Sequence, residues 1–269
     1  YEVPEGSRQS KGMNIANLLP IAADEKVTSM IRVPEFDEEK YLVMVTKQGI
    51  IKRISLNAYN TARKGGLIAL ELNEGDELAW VRLTDGNQQV IVATKNGLAI
   101  RFEETDVRPM GRQARGVKAI SLREGDCVVG MCVVTNDDLI LTASETGFGR
   151  ISNVSDYRLQ SRGGKGITNY HTEKYGNVAA VSAVKLDEDI IIISQEGVII
   201  RIAADTVRIC NRPSKGVTLM RIGENDKVVT VARAPHEDSE SEKTEETAEE
   251  ETSEENTAPE TNAEENTEE

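Results

Sequence analysis

The chain has 269 residues and a formal net charge of −14, with 32 Lys or Arg against 46 Asp or Glu. The imbalance lies at one end, because residues 236–269 hold sixteen acidic residues and one basic residue while residues 1–235 carry about +1. No apolar run approaches the ~20 residues of a transmembrane helix and no signal peptide is visible, so we expect no membrane partner and a cytoplasmic location.

Two parts of different composition follow from this charge pattern. Residues 236–269 are rich in Glu, Thr and Asn and lack aromatic and aliphatic β-branched residues, so they cannot bury enough surface to offset the entropy of ordering. We predict a disordered acidic tail there and one folded array over residues 1–235. The array begins at Tyr1, without a methionine, which indicates a fragment. Its three cysteines follow no metal-binding spacing, so buried free thiols are expected.

A repeat of about 50 residues runs through the array. A glycine precedes an apolar strand at Gly12, Gly66, Gly116, Gly166 and Gly216, at intervals of 54, 50, 50 and 50 residues. Such a period indicates stacked copies of one supersecondary unit.

Each copy of the repeat is predicted to form four β-strands. In the unit that starts at Gly116, apolar alternation and turn residues predict strands over 117–122, 127–134, 139–144 and from 148 to 151. Neighbouring copies repeat the third strand at 41–46, 89–94 and 190–194 and the fourth strand at 50–54, 98–102 and 198–202. Residues 217–235 hold the first two strands of one further copy. Four-stranded units with nearly continuous apolar inner strands are typical of propeller blades, so the fold is predicted to be all-β.

Basic residues recur at matched places in the copies. The loop before each repeat glycine carries two of them, namely Arg8 and Lys11, Arg63 and Lys64, Arg112 and Arg115, Arg162 and Lys165, and Arg212 and Lys215. The fourth strands add Lys52, Arg53, Arg101, Arg150 and Arg201. Because equivalent loops lie on the same part of a radial array, we expect a basic belt that fits duplex phosphates. Acidic turns, such as those at Asp76, Asp126 and Asp226, should lie elsewhere.

The loop Gln-Ser-Arg-Gly-Gly-Lys-Gly at 160–166 is the most specific motif of the belt. Gly163 and Gly164 would let the backbone approach a phosphate between the two cations of this loop, and we count them and Gly166 among the predicted DNA contacts. The spacing G-x-x-x-x-G-K-[ST] is absent and a strand follows, which excludes a P-loop. Aromatic residues make up 4% of the chain and no recognition helix is evident, so base-edge readout is not expected.

Several of these motifs together resemble the C-terminal domain of the bacterial DNA gyrase A polypeptide, part of a type IIA topoisomerase. They are the loop at 160–166, the Gly-Phe-Gly-Arg strand before it, the Tyr-Glu-Val-Pro-Glu start and the Arg-x-x-[Lys/Arg]-Gly-Val loops. The resemblance implies a six-bladed β-pinwheel whose blades exchange an outer strand, here missing most of the first blade. It also implies that duplex DNA bends around the basic rim, largely independently of sequence, to support negative supercoiling.

The same resemblance places the chemistry outside this chain. Negative supercoiling would use the core of the gyrase A polypeptide and the ATP-binding gyrase B polypeptide in an A2B2 holoenzyme. Since ATP and Mg²⁺ would bind elsewhere in that holoenzyme, neither a cofactor nor a catalytic residue is expected here. The family's diagnostic box belongs to the first blade and would fall about 38 residues before Tyr1, counting one period back from Gly12. The loop at 160–166 is a related copy, with Ser161 where the box has Arg.

Three alternatives stay open at this point. The related C-terminal domain of the topoisomerase IV A polypeptide has the same blade type and handles DNA without strong wrapping. A protein-binding propeller of the kelch or WD type is disfavoured because this chain lacks the W-D signature and has few aromatic residues. An enzymatic propeller is disfavoured because His171 and His236 are the only histidines and no carboxylate cluster recurs. The acidic tail could compete with DNA for the belt, or it could only keep the chain soluble.

Overall fold

The structure is a computed structural model that describes residues 6–7, 10–19, 21, 25–33, 35–60 and 66–236. Within these ranges the chain forms fifteen β-strands and only short helices. The helices are five 3-10 turns, Ile15–Asn17, Leu56–Tyr59, Glu104–Asp106, Val154–Asp156 and Ala204–Thr206, and one α-helix, α1 (Thr172–Tyr175). None of them is long and apolar enough to cross a lipid bilayer.

The strands follow one another along the chain in the order expected of a repeat. They are β1 (Tyr41–Thr46), β2 (Ile50–Ser55), β3 (Leu78–Thr84), β4 (Gln89–Thr94), β5 (Leu98–Glu103), β6 (Val117–Lys118), β7 (Val128–Val134), β8 (Leu139–Ser144), β9 (Phe148–Asn153), β10 (Ile167–Thr168), β11 (Val178–Val184), β12 (Glu188–Ser194), β13 (Ile199–Ala203), β14 (Val217–Thr218) and β15 (Val228–Pro235).

Four antiparallel hairpins, β1–β2, β4–β5, β8–β9 and β12–β13, form the centres of four sheets. The strands predicted over 41–46 and 89–94 match β1 and β4 residue for residue. A left-handed glycine closes each hairpin turn, and at Gly97 (φ +79°) a Cβ atom would stand 2.2 Å from the carbonyl oxygen of Tyr170. Glycine is required there both for the turn and for the close approach of another segment.

The sheets have the strand orders β3–β1–β2–β6, β10–β5–β4–β7, β11–β8–β9–β14 and β13–β12–β15. We call them the first, second, third and fourth sheets. Three have four strands and one has three, so the predicted all-β, propeller-like array of four-stranded blades is confirmed. Each hairpin has an inner neighbour on one side (β3, β7, β11 or β15), and the first three also have a short outer strand on the other side.

The outer strands come from distant sequence, which is the strand exchange that the family resemblance implies. Strand β6 lies between β5 and β7 in the chain but pairs with β2, with Val117 opposite Ile51. In the same way β10 pairs with β5 and β14 pairs with β9. The contiguous unit that starts at Gly116 is therefore not one blade, because its strands enter three different sheets. Residues 217–235 likewise complete two sheets instead of starting a blade of their own.

The inner strands pack side by side around the axis of the array, β3 beside β7, β7 beside β11 and β11 beside β15. Gly130 permits a close contact between β7 and β11, since a Cβ there would lie 2.6 Å from the carbonyl oxygen of Val181. Hydrophobic clusters fill the spaces between consecutive sheets. A cavity of about 560 Å³ lies among β7, β11 and β15. Cys132 is buried there, and burial raises the pKa of its thiol to about 11.

Candidate nucleic-acid interface

Three segments follow the outer edges of the first three hairpins. We call the segments at 108–120, 158–170 and 208–220 the clasps. The first clasp begins with a parallel bridge between Pro109 and Arg53 and ends where Ala119 N–H donates to the Gly49 carbonyl at 2.8 Å. Each clasp therefore spans the length of one hairpin strand and forms the rim of its blade.

The first basic residue of the second and third clasps ties neighbouring clasps together. Arg162 donates from Nε to the Asp106 carbonyl at 3.0 Å and from Nη1 to the Lys118 carbonyl at 3.3 Å. Arg212 repeats this pattern one period later, with 2.8 Å to the carbonyl of Asp156 and 2.6 Å to that of Thr168. Two of the three guanidinium nitrogens in each side chain therefore hold the rim together.

The glycines of the 160–166 loop also contact the preceding clasp. Gly163 N–H donates to the Ala119 carbonyl at 2.6 Å, and Ser121 N–H donates to the Gly164 carbonyl at 2.8 Å. Gly166 has φ +74°, and a Cβ atom there would stand 2.5 Å from the carbonyl oxygen of Ala99. These glycines allow backbone to approach backbone, in addition to the approach to phosphate predicted from the sequence.

The second basic residue is more accessible than the first in the first and second clasps, but not in the third, where Arg212 and Lys215 are both half-buried. Lys165 is exposed, whereas the Lys215 ammonium lies 3.5 Å from the ring centroid of Phe148. Arg115 is exposed and forms an ion pair with Glu71 at 2.7 Å, which lowers the pKa of that carboxyl group. Arg112 is half-buried.

Four predicted contacts precede the clasps in the sequence. Lys11 is exposed on a segment that forms no strand in its described residues. Arg8, Arg63 and Lys64 lie outside the described residues.

Four of the fourth-strand cations do not belong to the belt, and the prediction that they would is wrong. Lys52, Arg53, Arg101 and Arg150 are all buried. Only Arg201, on the fourth sheet, is exposed, where it pairs with Asp189 at 2.6 Å.

The buried cations satisfy carbonyl groups of the clasps. Lys52 Nζ donates to the carbonyls of Ala69, Arg112 and Ala114 at 2.7, 2.5 and 3.0 Å. Arg150 Nη2 donates to the Asn169 carbonyl at 2.6 Å. Burial lowers the pKa of Lys52 and of Arg150. Buried carbonyls need donors, and long cationic side chains supply them across the gap between a hairpin and its clasp.

The sequence-based prediction missed a second set of arginines on the rim. Arg108, Arg158 and Arg208 recur at the 50-residue period, and all three are exposed at the start of a clasp. The residue after each of them bridges a hairpin strand, which fixes the backbone at this point. The period itself would have revealed them, since they stand four residues before Arg112, Arg162 and Arg212.

The acidic turns lie at the opposite side of each sheet, immediately before the inner strands. Asp76 accepts hydrogen bonds from the backbone N–H groups of Gln48 and Glu77 at 2.9 and 2.8 Å. Asp126 and Asp226 do the same one and three periods later. Three strand spacings, ~14 Å, separate these carboxylates from the outer strands. The array therefore carries cations on its rim, whereas the turns before its inner strands carry carboxylates that accept backbone hydrogen bonds.

Within the ranges that the structure describes, no group of three or more His, Cys, Asp or Glu side chains is placed to hold a metal ion. The buried tyrosines have structural partners, since Tyr157 Oη donates to Asn169 Oδ1 at 2.7 Å and Tyr170 Oη donates to the Lys215 carbonyl at 3.1 Å. Burial raises the pKa of both phenols.

Curated proteins similar to this chain are DNA gyrase A polypeptides. The one from Clostridium acetobutylicum is 52% identical over 118 residues, which cover 44% of this chain and 14% of that protein. The one from Halalkalibacterium halodurans is 54% identical over 118 residues, with the same coverage. The aligned stretch thus spans a small part of the relatives that it matches.

Solved structures with a similar fold are C-terminal domains of two topoisomerases. The C-terminal domain of DNA topoisomerase IV matches with a TM-score of 0.79 and 27% identity, over 89% of this chain and 75% of that one. The DNA gyrase A C-terminal domain matches with a TM-score of 0.74 and 28% identity, over 84% of this chain and 76% of that one.

A family model agrees with both sets of relatives. The model described as the DNA gyrase C-terminal domain, beta-propeller, matches residues 1–34, 40–85, 88–134, 138–185 and 188–235. Four of these five segments, those from residue 40 onwards, coincide with the repeats that build the four sheets. This chain belongs to the DNA gyrase C-terminal domain family.

Proposed function

We propose that this chain binds duplex DNA along its basic rim and bends it, as the DNA-wrapping domain of a gyrase A polypeptide. The observation that carries the proposal is the exposed rim arginine of each clasp, Arg108, Arg158 and Arg208. Lys165, which is exposed, and the half-buried Arg162 and Arg212 add cations on the same edge. Cations repeated along a curved edge suit a curved phosphate backbone and need no base contact.

The energetics of bending require contacts from many clasps. Smooth bending of 20–30 bp costs of order 1–6 kcal/mol, and each neutralised phosphate contributes by releasing counterions. One clasp offers two or three accessible cations, which is too few to hold a strongly bent duplex. Binding should therefore depend on the number of clasps in register and should show little sequence preference. In the holoenzyme, this bending would support ATP-dependent negative supercoiling by the core of the gyrase A polypeptide together with gyrase B.

Replacing the three rim arginines together tests the proposal. About ten phosphate contacts give a slope of log K against log salt near −9, so Arg108→Ala, Arg158→Ala and Arg208→Ala combined should reduce its magnitude by about 2.7. Fluorescence anisotropy with a duplex at several salt concentrations measures this slope.

A matched control removes three exposed cations at the ends of inner strands, Arg123, Lys185 and Lys227. This control should leave the slope within about one unit of its original value, because these side chains lie away from the rim. An equal loss in both triple variants would mean that net charge, and not the rim, governs binding.

DNA binding without wrapping is a second candidate function, favoured by the TM-score of 0.79 to the topoisomerase IV domain. Closing nicked circular DNA in the presence of the chain distinguishes the two. A wrapping domain shifts the linking number of the closed circles, whereas a domain that only binds DNA leaves it unchanged.

We also propose that residues 1–235 form the DNA-binding array and that residues 236–269 form a separate acidic tail. A net charge of −15 tethered beside a basic rim would compete with DNA at a high effective concentration. Deleting residues 237–269 should tighten DNA binding at low salt and have little effect at high salt, as measured by anisotropy. Unchanged affinity at low salt would leave the tail as a solubilising segment.

A further inference from the structure

The second clasp packs directly against the first through its backbone. Gly163 N–H donates to the Ala119 carbonyl at 2.6 Å. Just after the first clasp, Ser121 N–H donates to the Gly164 carbonyl at 2.8 Å. The hairpin side chain beneath this loop is Ile100, whose Cδ1 lies 3.6 Å from the place that a Cβ of Gly164 would take. Because isoleucine has no donor, the Ala119 carbonyl depends on the loop backbone for its hydrogen bond.

The third clasp meets the second in a different way. Asn169 stands one period after Ala119, and its carbonyl accepts from Nη2 of Arg150, which stands one period after Ile100, at 2.6 Å. The loop of the third clasp cannot supply this hydrogen bond, because it has Pro213, which lacks an N–H, where the second clasp has a glycine. Within the described residues, no backbone N–H of either clasp donates to a backbone carbonyl of the other.

Lys52 repeats the arrangement of Arg150 at the first clasp. Both side chains stand three residues after the turn glycine of their hairpins. Lys52 Nζ donates to the Arg112 and Ala114 carbonyls of the first clasp at 2.5 and 3.0 Å, and to the Ala69 carbonyl of the preceding repeat at 2.7 Å. Carbonyls of two consecutive repeats therefore face one ammonium group, and a cationic side chain lies between them as a spacer.

These arrangements define two kinds of joint between consecutive repeats at the rim. A close joint has Ile100 at the hairpin position and a backbone hydrogen bond, whereas a spaced joint has Lys52 or Arg150 at that position. We propose that this hairpin residue selects the joint and thereby sets the local curvature of the rim. The inner strands are packed side by side, so a spacer between the outer edges spreads the sheets apart and increases the curvature. This inference rests on the proposed function, because bound DNA would follow the curvature of the rim.

Exchanging a spaced joint for a close one tests the proposal. Pro213→Gly with Ser214→Gly gives the loop of the third clasp the sequence Arg-Gly-Gly-Lys-Gly of the second clasp, and we call this the loop change. Arg150→Ile supplies the hairpin residue of the close joint. The loop change, Arg150→Ile and their combination form a double-mutant cycle with the parent chain.

The loop change should have opposite effects on stability in the two backgrounds. In the parent chain it should lower the urea midpoint of unfolding, because the loop gains freedom and the Asn169 carbonyl already has a donor. In the Arg150→Ile background it should raise the midpoint, because the new N–H replaces the lost donor. Only Nη2 of the Arg150 guanidinium has a hydrogen bond in the described residues, so the combined variant should be no less stable than the parent.

Amide hydrogen exchange shows where the new hydrogen bond forms. In the combined variant, the amide at position 213 should exchange at least about tenfold more slowly than in the variant with the loop change alone. The amide of Gly163 is an internal control, because its joint is the same in every variant. Small-angle X-ray scattering of the free chains then reports the curvature, and the flatter combined variant should have the larger radius of gyration.

Closing nicked circular DNA measures the consequence for bound DNA. The combined variant should shift the linking number by roughly a third less than the parent, because one joint of three changes. The DNA affinity and its salt dependence should stay the same, since Arg150 is completely buried and no exposed cation is removed. Lys52→Ile with Gln113→Gly makes the equivalent exchange at the first clasp and serves as the test if the Arg150→Ile variants do not fold.

Two results would overturn the proposal. The same sign of the loop change in both backgrounds would mean that the hairpin residue does not select the joint. A protected amide at position 213 with an unchanged radius of gyration and linking number would mean that the joint does not set the curvature. A parent chain that shifts no linking number would instead contradict DNA wrapping, and the exchange and scattering measurements would still decide the role of Arg150.

Discussion

The third and fourth sheets are built from hairpins of the same repeat, and they differ at one edge. In the third sheet β14 covers the outer side of β9, and Arg150 beneath it is completely buried. In the fourth sheet nothing covers β13 within the described residues, and the equivalent Arg201 has a side chain that is 38% exposed. Nearly the same strand is therefore part of the core in one blade and part of the surface in the other.

The difference shows that a repeat of this fold does not complete a blade from its own sequence. A clasp that arrives from about 65 residues further along the chain decides whether a hairpin edge is buried. The N-terminal region supports this interpretation, because the family model matches residues 1–34 although their described residues form no strand. Strands of an array need hydrogen-bonding partners from neighbouring repeats, and a sequence with high β-propensity does not form a strand without them.

The largest change in the free energy of unfolding should come from substituting a glycine of a hairpin turn. Gly147→Ala places a Cβ 2.1 Å from the Met220 carbonyl oxygen in a left-handed backbone, and it should lower the free energy of unfolding by about 4 kcal/mol. Gly197→Ala introduces the same backbone strain without the collision and should cost about 1 kcal/mol. Urea unfolding of both variants measures the difference. Equal losses would mean that the third-sheet clasp does not hold its hairpin as described.

A smaller difference in the free energy of unfolding is expected between alanine variants of Arg150 and Arg201. Arg150→Ala removes the donor to the buried Asn169 carbonyl and should lower the free energy of unfolding by about 3 kcal/mol. Arg201→Ala removes a partly exposed pair with Asp189, and screening by solvent limits its effect to less than about 1 kcal/mol. Thermal unfolding of the two variants, with DNA affinity measured in parallel, tests the comparison. A large loss of DNA binding by folded Arg150→Ala would contradict the burial of this side chain.

The smallest effect is a pH dependence of folding stability, and it arises from Asp189 in the fourth sheet. Hydrogen bonds from His236 and Arg201 lower the pKa of Asp189 below its ordinary value of 3.8, whereas Leu139 occupies the equivalent position of the third sheet. A lowered folded-state pKa contributes stability above the unfolded-state value, and this contribution is lost as the pH falls through the folded-state value. Asp189→Asn should therefore be less stable than the parent chain at neutral pH and equally stable near pH ~2.

Urea unfolding at both pH values checks this prediction. A stability difference that persists at the lower pH would show that Asp189 acts through packing and not through its charge.

Much of the local structure was predictable from short stretches of sequence. The hairpin strands at 41–46 and 89–94 are nearly continuous runs of Val, Ile, Leu, Met and Ala ending at a turn glycine, and such runs prefer buried strands. The outer strands were predicted less well. A strand was expected over 117–122, but only Val117 and Lys118 pair, because the chain then turns inward and buries Ala119 and Ile120.

The interface was predictable in its period and not in the roles of its residues. Lys52 and Arg150 have the same spacing as the rim cations, and no local pattern distinguishes a cation that faces solvent from one that meets a carbonyl. Two of the three partners of Lys52 are the carbonyls of Arg112 and Ala114, sixty and more residues away. Arg108 and its equivalents lie four residues before the first cation of each clasp pair, outside the loop directly before the repeat glycine, so the pattern of paired cations does not include them.

The amino-acid sequence by itself determined the number and order of the hairpins, the positions of their turns and the period of the basic residues. These properties depend on side-chain alternation, on left-handed glycines and on spacing, which are all local. Only the tertiary structure decided which hairpin each clasp covers, which cations became part of the core and which edge stayed open. The physical reason is that a two-residue outer strand has almost no preference of its own, so its place is set by backbone hydrogen bonds and burial against a hairpin distant in sequence.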